Sequence, residues 1–474
     1  MNTEAVRQAQ ERLKAIPNDF VQLQFVDLQG GIRAVTFPKR AFLEDKIWED
    51  GTNFDSSSVG VGATKWSDMI LIPEPDTLQD IHIGDMNITR VLGRIHTADM
   101  QPFRGDPRTI AAKVMEEAAG MGYDRVTILP EMEFFLFSSM EQAITENDVW
   151  TRDWEHGTGN LTSFPEYFDE LSTNDYLKYP KYQYFSSVPF DDTFEYRNRL
   201  SSILEGLGYP VKYHHHEGGS RQNELEFQPF DSLVTAGDGI TLHKLISRVL
   251  GQQMGYIPTY MPKPIYSDAG NGMHFHIRLF RDGEPVFHDG NNEFALSQEA
   301  YHFIGGILKY APEFTALTNP TVNSYKRLVP EMEAPVYLTW SPLNRTALVR
   351  IPARRKDPSS VDIEVRNPDP TANPYLAMAA VVHFGLRGIK EQIEPPKPFQ
   401  QDPNKLSRAD IKKLNIAMLP GSLREALAHL EGSKDMRELL GDEIFERFIT
   451  MKQEEMMNYR RHISTWEFFK YFHV

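Results

Sequence analysis

The chain has 474 residues, enough for one large domain and a smaller one, because single hydrophobic cores rarely grow beyond a few hundred residues. Its 50 Lys and Arg residues are outnumbered by 66 Asp and Glu residues, and a net charge of −16 argues against an electrostatic nucleic-acid binder. The absence of cysteine excludes disulfides, thiolate nucleophiles and cysteine-ligated metal sites. Any metal must therefore be bound by oxygen and imidazole ligands.

The N-terminal region predicts a helix followed by a sheet. An amphipathic helix is indicated by MNTEAVRQAQERLKAI, which lacks the basic start and apolar run of a secretion signal. No stretch has the apolar length of a membrane span, so we expect a cytoplasmic protein. A β-hairpin is predicted by FVQLQFVDLQGGIRAVTF, in which apolar and polar residues alternate on both sides of Gly30 and Gly31.

A second domain is expected to begin near residue 103, which divides the chain into residues 1–102 and 103–474. Its first helix is predicted to start at Pro107, capped by Asp106, and to end near Gly120. Strand patterns then alternate with helix patterns, beginning with the strand RVTILPEMEFFLF at residues 125–137. This alternation is typical of a large domain of mixed helices and strands.

Two aromatic segments stand out from this pattern. Residues 139–190 form a long polar insertion with many Trp and Tyr residues, too aromatic for a disordered linker, and we expect an ordered excursion or a lid. The C-terminal STWEFFKYFHV is costly to expose, so we expect it to pack either on its own domain or on a neighbouring subunit.

Several carboxylates lie in strand-like contexts. Glu131 and Glu133 are two residues apart in LPEMEFFLF and therefore point to the same face, among apolar residues that imply burial. Taken alone, such a pair is more often a solvated sheet face. HHHEGGSRQNELEF adds Glu217 and Glu224, which could equally belong to a polar loop, and NGMHFH and DIEVRNPDP add His274 and Glu364.

Together, five glutamates and one histidine could form two adjacent sites for hard cations, since oxygen-rich ligation suits Mg²⁺ or Mn²⁺ better than zinc. Paired divalent ions of this kind serve phosphoryl transfer, and arginines commonly complete such sites. Four arginines lie in apolar or Pro-rich contexts where an unpaired guanidinium would be expensive: Arg327, Arg345, Arg350 and Arg366. No Walker-type or kinase glycine loop is present in the sequence.

The motifs as a set resemble those of the glutamine synthetase family. FDSSS, PEMEFFLF, HHHEGGSRQNE, GNGMHFH, NPTVNSYKRLVP, NRTALVRIP and EVRNPDPTANPYLA follow the family's order and approximate spacing from about residue 15 to the C-terminus. The resemblance implies an α+β fold with an N-terminal β-grasp domain and a larger catalytic domain around a curved antiparallel sheet. It also implies a homo-oligomer of stacked rings, commonly a dodecamer, with active sites between subunits.

The resemblance implies two ion sites, each with three ligands. One would use Glu133, Glu217 and Glu224, and the other Glu131, His274 and Glu364, with Mg²⁺ or Mn²⁺ as the ion. Substrate glutamate would contact the backbone at Gly270 together with the side chains of Arg327, Arg345 and Arg366. ATP and the acyl phosphate would be bound by Arg345, Arg350, His276 and Arg355.

The implied activity is ATP-dependent ligation of ammonia to glutamate. The γ-carboxylate of glutamate attacks the γ-phosphorus of ATP to give γ-glutamyl phosphate and ADP, and ammonia then displaces phosphate. By motif match, Asp55 of FDSSS and Glu333 of PEMEAP would bind and deprotonate the ammonium ion. In family assemblies this aspartate comes from the neighbouring subunit.

Some positions depart from the family pattern. Ala269 replaces an asparagine, and in the nucleotide region Arg278 replaces a serine and Asp362 an arginine. The variant GNGMH also resembles relatives that join glutamate to methylamine, ethanolamine or a polyamine, which leaves a γ-glutamylamide ligase as the alternative. Two carboxylates around a small cavity favour the ammonium ion over a bulkier amine. A catalytically silent metabolite sensor is disfavoured because all six implied metal ligands are retained.

Overall fold

The computed structural model describes residues 3–61, 67–139, 183–266, 268–330, 334–342, 344–352, 357 and 360–474. Most of the predicted insertion, at residues 140–182, lies outside these ranges, as do Glu333 and Arg355.

The first sheet is built from residues near the N-terminus. Its strands are β1 (Phe20–Val26), β2 (Ile32–Pro38), β3 (Thr52–Asp55), β4 (Asp68–Pro73), β5 (Gln79–Ile83) and β6 (Met86–His96). They lie in the order β2-β1-β6-β4-β3, with β5 paired to β6. The predicted hairpin is confirmed, since β1 and β2 pair antiparallel from Phe20 opposite Pro38 to Val26 opposite Ile32. β1 and β6 are parallel.

The second sheet carries the candidate site. Its strands are β7 (Arg125–Phe137), β8 (Val211–His216), β9 (Gln222–Phe227), β10 (Ile257–Thr259), β11 (Met273–Arg281), β12 (Glu284–Pro285), β13 (Tyr337–Pro342), β14 (Ala347–Ile351) and β15 (Ile363–Val365). The main order is β13-β14-β15-β11-β7-β9-β8. The expectation of an antiparallel sheet is correct except at one edge, where β13 and β14 are parallel.

Helices cover both sheets. They are α1 (Thr3–Ala15), α2 (Arg40–Leu43), α3 (Lys46–Asp50), α4 (Pro107–Gly120), α5 (Phe194–Gly206), α6 (Leu233–Met254), α7 (Gln298–Thr318), α8 (Ser324–Arg327), α9 (Pro374–Lys390), α10 (Arg408–Lys413), α11 (Leu423–Gly432), α12 (Lys434–Leu440), α13 (Asp442–Arg461) and α14 (Thr465–Tyr471). Short 3₁₀ turns span Pro75–Thr77, Glu293–Ala295 and Pro403–Lys405. As predicted, α4 begins at Pro107, and Asp106 caps it by accepting a hydrogen bond from the Arg108 backbone N–H.

The two sheet regions are joined by buried polar contacts. Arg108 of α4 pairs with Glu74, which follows β4, and donates to Asp238 of α6 at 2.8–2.9 Å. The turn between β1 and β2 packs against the start of α9, where Asn373 Nδ2 donates to the Asp27 carbonyl at 2.9 Å. A Cβ at Gly30 would lie 3.1 Å from the Asn373 Cα, and with φ at +83° this position favours glycine.

The C-terminal segment leaves the described aromatic side chains at residues 466, 471 and 472 exposed. Trp466, Tyr471 and Phe472 are 44%, 56% and 62% exposed. Packing on its own domain, one of the two expectations for this tail, is therefore not observed for these three residues.

Candidate active site

An interior strand of the second sheet, β7, presents the first pair of carboxylates. Glu131 and Glu133 lie on the same face of β7, and the strand is flanked by β11 and β9. His274 of β11 stands opposite Glu131. On the other side, Glu226 and Glu224 of β9 stand opposite Glu131 and Glu133. Pairing of three strands thus brings together residues that are up to 143 positions apart in sequence.

The expected ligand set of Glu131, His274 and Glu364 is assembled as a compact group. One ligand atom each of Glu131, His274 and Glu364 lies within 4.8 Å of the others. The His274 Nδ1–H donates to Glu131 Oε2 at 2.8 Å. Glu364 is fully buried on β15, which pairs antiparallel with β11. The alternative of a solvated sheet face for Glu131 and Glu133 is not observed, because Glu133 is 7% exposed and the Glu131 side chain 12% exposed.

The expected ligand set of Glu133, Glu217 and Glu224 is only partly grouped. Glu217 and Glu224 lie within 4.8 Å of each other and of His215, which the sequence analysis did not select. His215 Nε2 is 3.1 Å from Glu224 Oε2. Glu133 stands opposite Glu224, but its Oε2 accepts hydrogen bonds from Gln222 Nε2 at 3.0 Å and from the Gly272 N–H at 2.7 Å. His215 is the second residue of the HHHE motif. Because Glu217 of the same motif was selected from the sequence, the motif did indicate this part of the site.

Negative charge is concentrated at this point of the sheet. Burial raises the pKa of Glu224 well above its usual value, and the carboxylates of Glu131, Glu133 and Glu217 raise it further. Burial would also raise the pKa of Glu131, but the imidazoles of His276 and His274 hold it well below the usual range. Several buried carboxylates sharing one space require a cation or protons to be stable.

Two of the predicted arginines contact the buried Glu364. Arg350 Nη1 lies 2.5 Å from Glu364 Oε2, and Arg366 pairs with the other carboxylate oxygen. Burial would raise the pKa of Glu364, yet Arg366 and its cationic neighbours bring it below the usual value. Arg366 Nε also donates to the Arg345 carbonyl at 3.1 Å, so Arg345 and Arg366 are adjacent.

Arg327 packs against the loop that contains Gly270 and Gly272. Arg327 is buried and donates to the backbone carbonyls of Asn367 and Arg366 at 2.7 and 3.1 Å. A Cβ at Gly270 would lie 2.9 Å from Arg327 Cγ. A Cβ at Gly272 would lie 2.8 Å from Arg327 Nη2 and 2.4 Å from His274 Nε2. Both glycines are needed for this arginine to pass next to the ligand group.

His276 and Tyr184 complete the surroundings. His276 Nε2–H donates to Glu131 Oε1 at 2.8 Å, and its Nδ1 faces Asp362 Oδ1 at 3.2 Å. Burial would lower the pKa of His276, but Asp362 and Glu131 hold it well above its usual value. Tyr184, also missed in the sequence, hydrogen-bonds Arg345 and interacts electrostatically with Glu217 and Glu224.

Asp55, one of the two expected ammonium residues, lies in the first sheet and not in this cluster. Asp55 is exposed at the end of β3 in the first sheet, where its carboxylate accepts hydrogen bonds from the Ser57 N–H at 3.0 Å and Oγ–H at 2.6 Å, and also from Ser58. These hydrogen bonds lower its pKa. The other residue, Glu333, lies outside the part of the chain that the structure describes, as does Arg355.

Comparison with known proteins gives the family. A sequence model described as "Glutamine synthetase, catalytic domain" matches residues 104–471, and one described as "Glutamine synthetase, beta-Grasp domain" matches residues 18–98. The chain belongs to the glutamine synthetase family. A curated glutamine synthetase of Archaeoglobus fulgidus is 39% identical over 481 residues, which cover 98% of this chain and 97% of that protein.

Two solved structures share the whole fold. The cryo-electron microscopy structure of Plasmodium falciparum glutamine synthetase has a TM-score of 0.84 at 25% identity and covers 98% of both chains. A structure described as a "GmaS/ADP complex" has a TM-score of 0.82 at 25% identity and covers 98% of this chain and 99% of that one. The family resemblance and the α+β fold predicted from the sequence are confirmed. In the described part of the chain, no helix is long and apolar enough to cross a membrane.

Proposed function

We propose that the protein is a glutamate–ammonia ligase, which converts glutamate, ammonia and ATP into glutamine, ADP and phosphate. The observation that carries this proposal is the buried group of Glu131, His274 and Glu364, closed on one side by Arg350 and Arg366. Oxygen-rich donors beside guanidinium groups fit a site for phosphoryl transfer. The family membership and the relatives that are named glutamine synthetase support the same reaction.

The donor set fits two divalent cations. Glu131, His274 and Glu364 would bind one ion, and Glu133, Glu217 and Glu224 would bind the other, with His215 close to the second group. Carboxylate oxygens predominate, which suits Mg²⁺ or Mn²⁺. Such ions, when bound, reduce the repulsion between the phosphates of ATP and the carboxylate that attacks them. The raised pKa of Glu224 supports this fit, because the group carries more negative charge than its own neighbours balance.

Substrate glutamate is proposed to bind beside Gly270, Arg327, Arg345 and Arg366. Arg327 and Arg366 are buried cations that contact a backbone carbonyl and Glu364, respectively. Their charge complements the carboxylates of the substrate. The γ-carboxylate would be oriented for attack on the γ-phosphorus of ATP to give γ-glutamyl phosphate.

ATP and the acyl phosphate are proposed to contact Arg345, Arg350, His276 and Arg355. His276 contacts the Glu131 carboxylate, and Arg350 contacts the Glu364 carboxylate. The Arg345 backbone carbonyl accepts a hydrogen bond from Arg366, so Arg345 lies next to them. The structural relative described as an ADP complex supports a nucleotide as the second substrate. Arginines here would stabilise the charge that develops on the transferred phosphoryl group.

Ammonium is proposed to be bound and deprotonated by Asp55 and Glu333, with Asp55 supplied by a neighbouring subunit. Support comes from the exposed position of Asp55 on an edge strand and from the exposed aromatic residues of α14, which suit contacts between copies. We propose a homo-oligomer, with a dodecamer of two stacked hexameric rings as the expected form. A cytoplasmic location is proposed because a sequence without cysteine suits a reducing compartment, where disulfides are rare.

The experiment that tests the function measures phosphate release from ATP with glutamate and Mg²⁺. Ammonium, methylamine, ethanolamine and a polyamine are compared, with a control that lacks any amine. The highest kcat/KM for ammonium is the expected result. A clear preference for another amine would instead make the protein a γ-glutamylamide ligase and remove the ammonium roles of Asp55 and Glu333. No phosphate release with any amine would indicate a silent metabolite sensor.

A further inference from the structure

We propose that Asp362 is a positioning residue that acts through His276 on Glu131, with Arg278 as its charge partner. The inference rests on the proposed function, because it takes Glu131 as a metal ligand. Its role would be to fix one orientation of the Glu131 carboxylate before an ion binds.

Four side chains form a continuous row across β7, β11 and the residue before β15. Arg278 Nη2 lies 3.2 Å from Asp362 Oδ2, and His276 Nδ1 lies 3.2 Å from Asp362 Oδ1. The other ring nitrogen of His276 is 2.8 Å from Glu131 Oε1. His276 and Arg278 lie on the same face of β11, and Asp362 directly precedes β15, which pairs with β11 at Ile277 opposite Ile363. The row follows from the sheet register.

Burial makes these contacts specific. Asp362 is 8% exposed and His276 is 7% exposed, so little water is available to replace a lost partner. Both ring nitrogens of His276 face a carboxylate oxygen, which leaves one orientation that satisfies them together. Without Asp362, the Nδ1 side would lose its buried partner, and the ring would be free to turn its Nε2 away from Glu131.

Glu131 is held at both oxygens by two histidines. His274 Nδ1–H donates to Oε2 and His276 Nε2–H donates to Oε1, each at 2.8 Å. The plane of the carboxylate is therefore defined by both rings. Residues that orient a metal ligand in this way commonly change metal affinity about 10–100-fold when they are removed.

Arg278 explains why a buried aspartate is acceptable at position 362. Its guanidinium pairs with the Asp362 carboxylate at 3.2 Å, and His276 and Arg278 both lower the pKa of Asp362 against the effect of burial. In the family pattern a serine stands at position 278 and an arginine at position 362. The two departures together change where the charges lie. The cation, Arg278, is on β11, and the anion, Asp362, is beside β15.

The test measures Mn²⁺ binding to the full-length protein by titration calorimetry. Asp362→Ala should weaken binding at the Glu131 site about 10-fold. Asp362→Asn keeps an acceptor for His276 Nδ1–H and should bind Mn²⁺ more tightly than Asp362→Ala. Raising Mg²⁺ should restore most of the kcat of Asp362→Ala, because positioning is lost while the ligands remain.

Three comparisons separate the possible outcomes. Asp106→Asn removes another buried carboxylate, at the start of α4, and should leave Mn²⁺ affinity unchanged. Wild-type affinity in Asp362→Ala, or equal losses in Asp362→Ala, Asp362→Asn and Asp106→Asn, would overturn the positioning role. Glu131→Ala is the reference for the proposed function: if it binds Mn²⁺ as the wild type does, Glu131 is not a ligand and the metal site itself is wrong.

Discussion

Glu133 on β7 and Glu224 on β9 stand directly opposite each other in the antiparallel ladder, and both are buried. Like charges in this arrangement oppose folding, so the pair is retained at a cost to stability. Glu131 and Glu217 add to the same negative potential at Glu224. The cluster has the character of a site that is completed by a cation.

Glu224→Gln is expected to stabilise the metal-free protein and to weaken its response to Mg²⁺. Removing a buried carboxylate that faces three others should raise the free energy of unfolding by about 0.5–2 kcal/mol. The wild type should gain stability with rising Mg²⁺, because the ion binds only the folded state, whereas the variant should gain less, because only the site of Glu131, His274 and Glu364 remains intact. Thermal unfolding with and without Mg²⁺ measures both effects. In Glu226→Gln, which loses the Lys212 partner at 2.5 Å, no such gain is expected.

Gly272→Ala is expected to disturb glutamate binding and the metal group together. The added Cβ would lie 2.4 Å from His274 Nε2 and 2.8 Å from Arg327 Nη2, so one of these side chains must move. A displacement of about 1 Å in such a site can reduce kcat/KM about 100-fold. Steady-state kinetics with varied glutamate measures the loss. The matched control is Gly218→Ala, because a Cβ there meets nothing within 4 Å; equal losses in both variants would contradict the steric explanation.

Asp106→Asn is expected to stabilise the fold above about pH 6 and to have little effect near pH 4. Burial raises the pKa of Asp106 from 3.8 to about 6. The folded state therefore favours the protonated carboxyl, and the wild type loses stability as the pH rises through this range. Asparagine caps helices as well as aspartate does and has no charge to bury. Urea unfolding should give a gain of about 1–3 kcal/mol near pH 7.5, shrinking towards pH 4.5. A gain that does not depend on pH would contradict this explanation.

The sequence allowed the elements to be predicted because periodicity is a local property. The strand at residues 125–137 and the start of α4 at Pro107 were both predicted at their observed positions. Pairing is not a local property, and the parallel pairing of β13 with β14 had no signal in either segment. The family motifs, in contrast, identified residues that the fold later brought together, such as Glu131, His274 and Glu364.

The contacts that sequence reasoning missed depend on register and on distant partners. His215 reaches Glu224 through the pairing of β8 with β9, which shifts register between Val211 and Tyr213. No count of residues within HHHE reveals which histidine faces the carboxylates. Likewise Arg278 and Asp362, separated by 84 positions, appeared as two unrelated departures until the strands placed them side by side.

Deletion of residues 465–474 is expected to reduce the size of the oligomer. The aromatic side chains of Trp466, Tyr471 and Phe472 are exposed on the single chain, and their burial between copies would stabilise the assembly by roughly 1.5–3 kcal/mol for each fully buried large side chain. Sedimentation velocity measures the assembly, and deletion of the exposed Val474 alone is the control. An unchanged sedimentation coefficient in the longer deletion would remove the tail from the interface.

The same deletion tests whether Asp55 acts in the site of a neighbouring subunit. Asp55 lies on an edge strand of the first sheet, whereas Glu131 and His274 lie in the second, so a smaller assembly should lose glutamine formation. Phosphate release without ammonium should fall less, because it depends on the arginines and carboxylates of one chain. If the dissociated form makes glutamine at the wild-type rate, Asp55 is not needed from a neighbour, and the ammonium site must be completed within a single subunit.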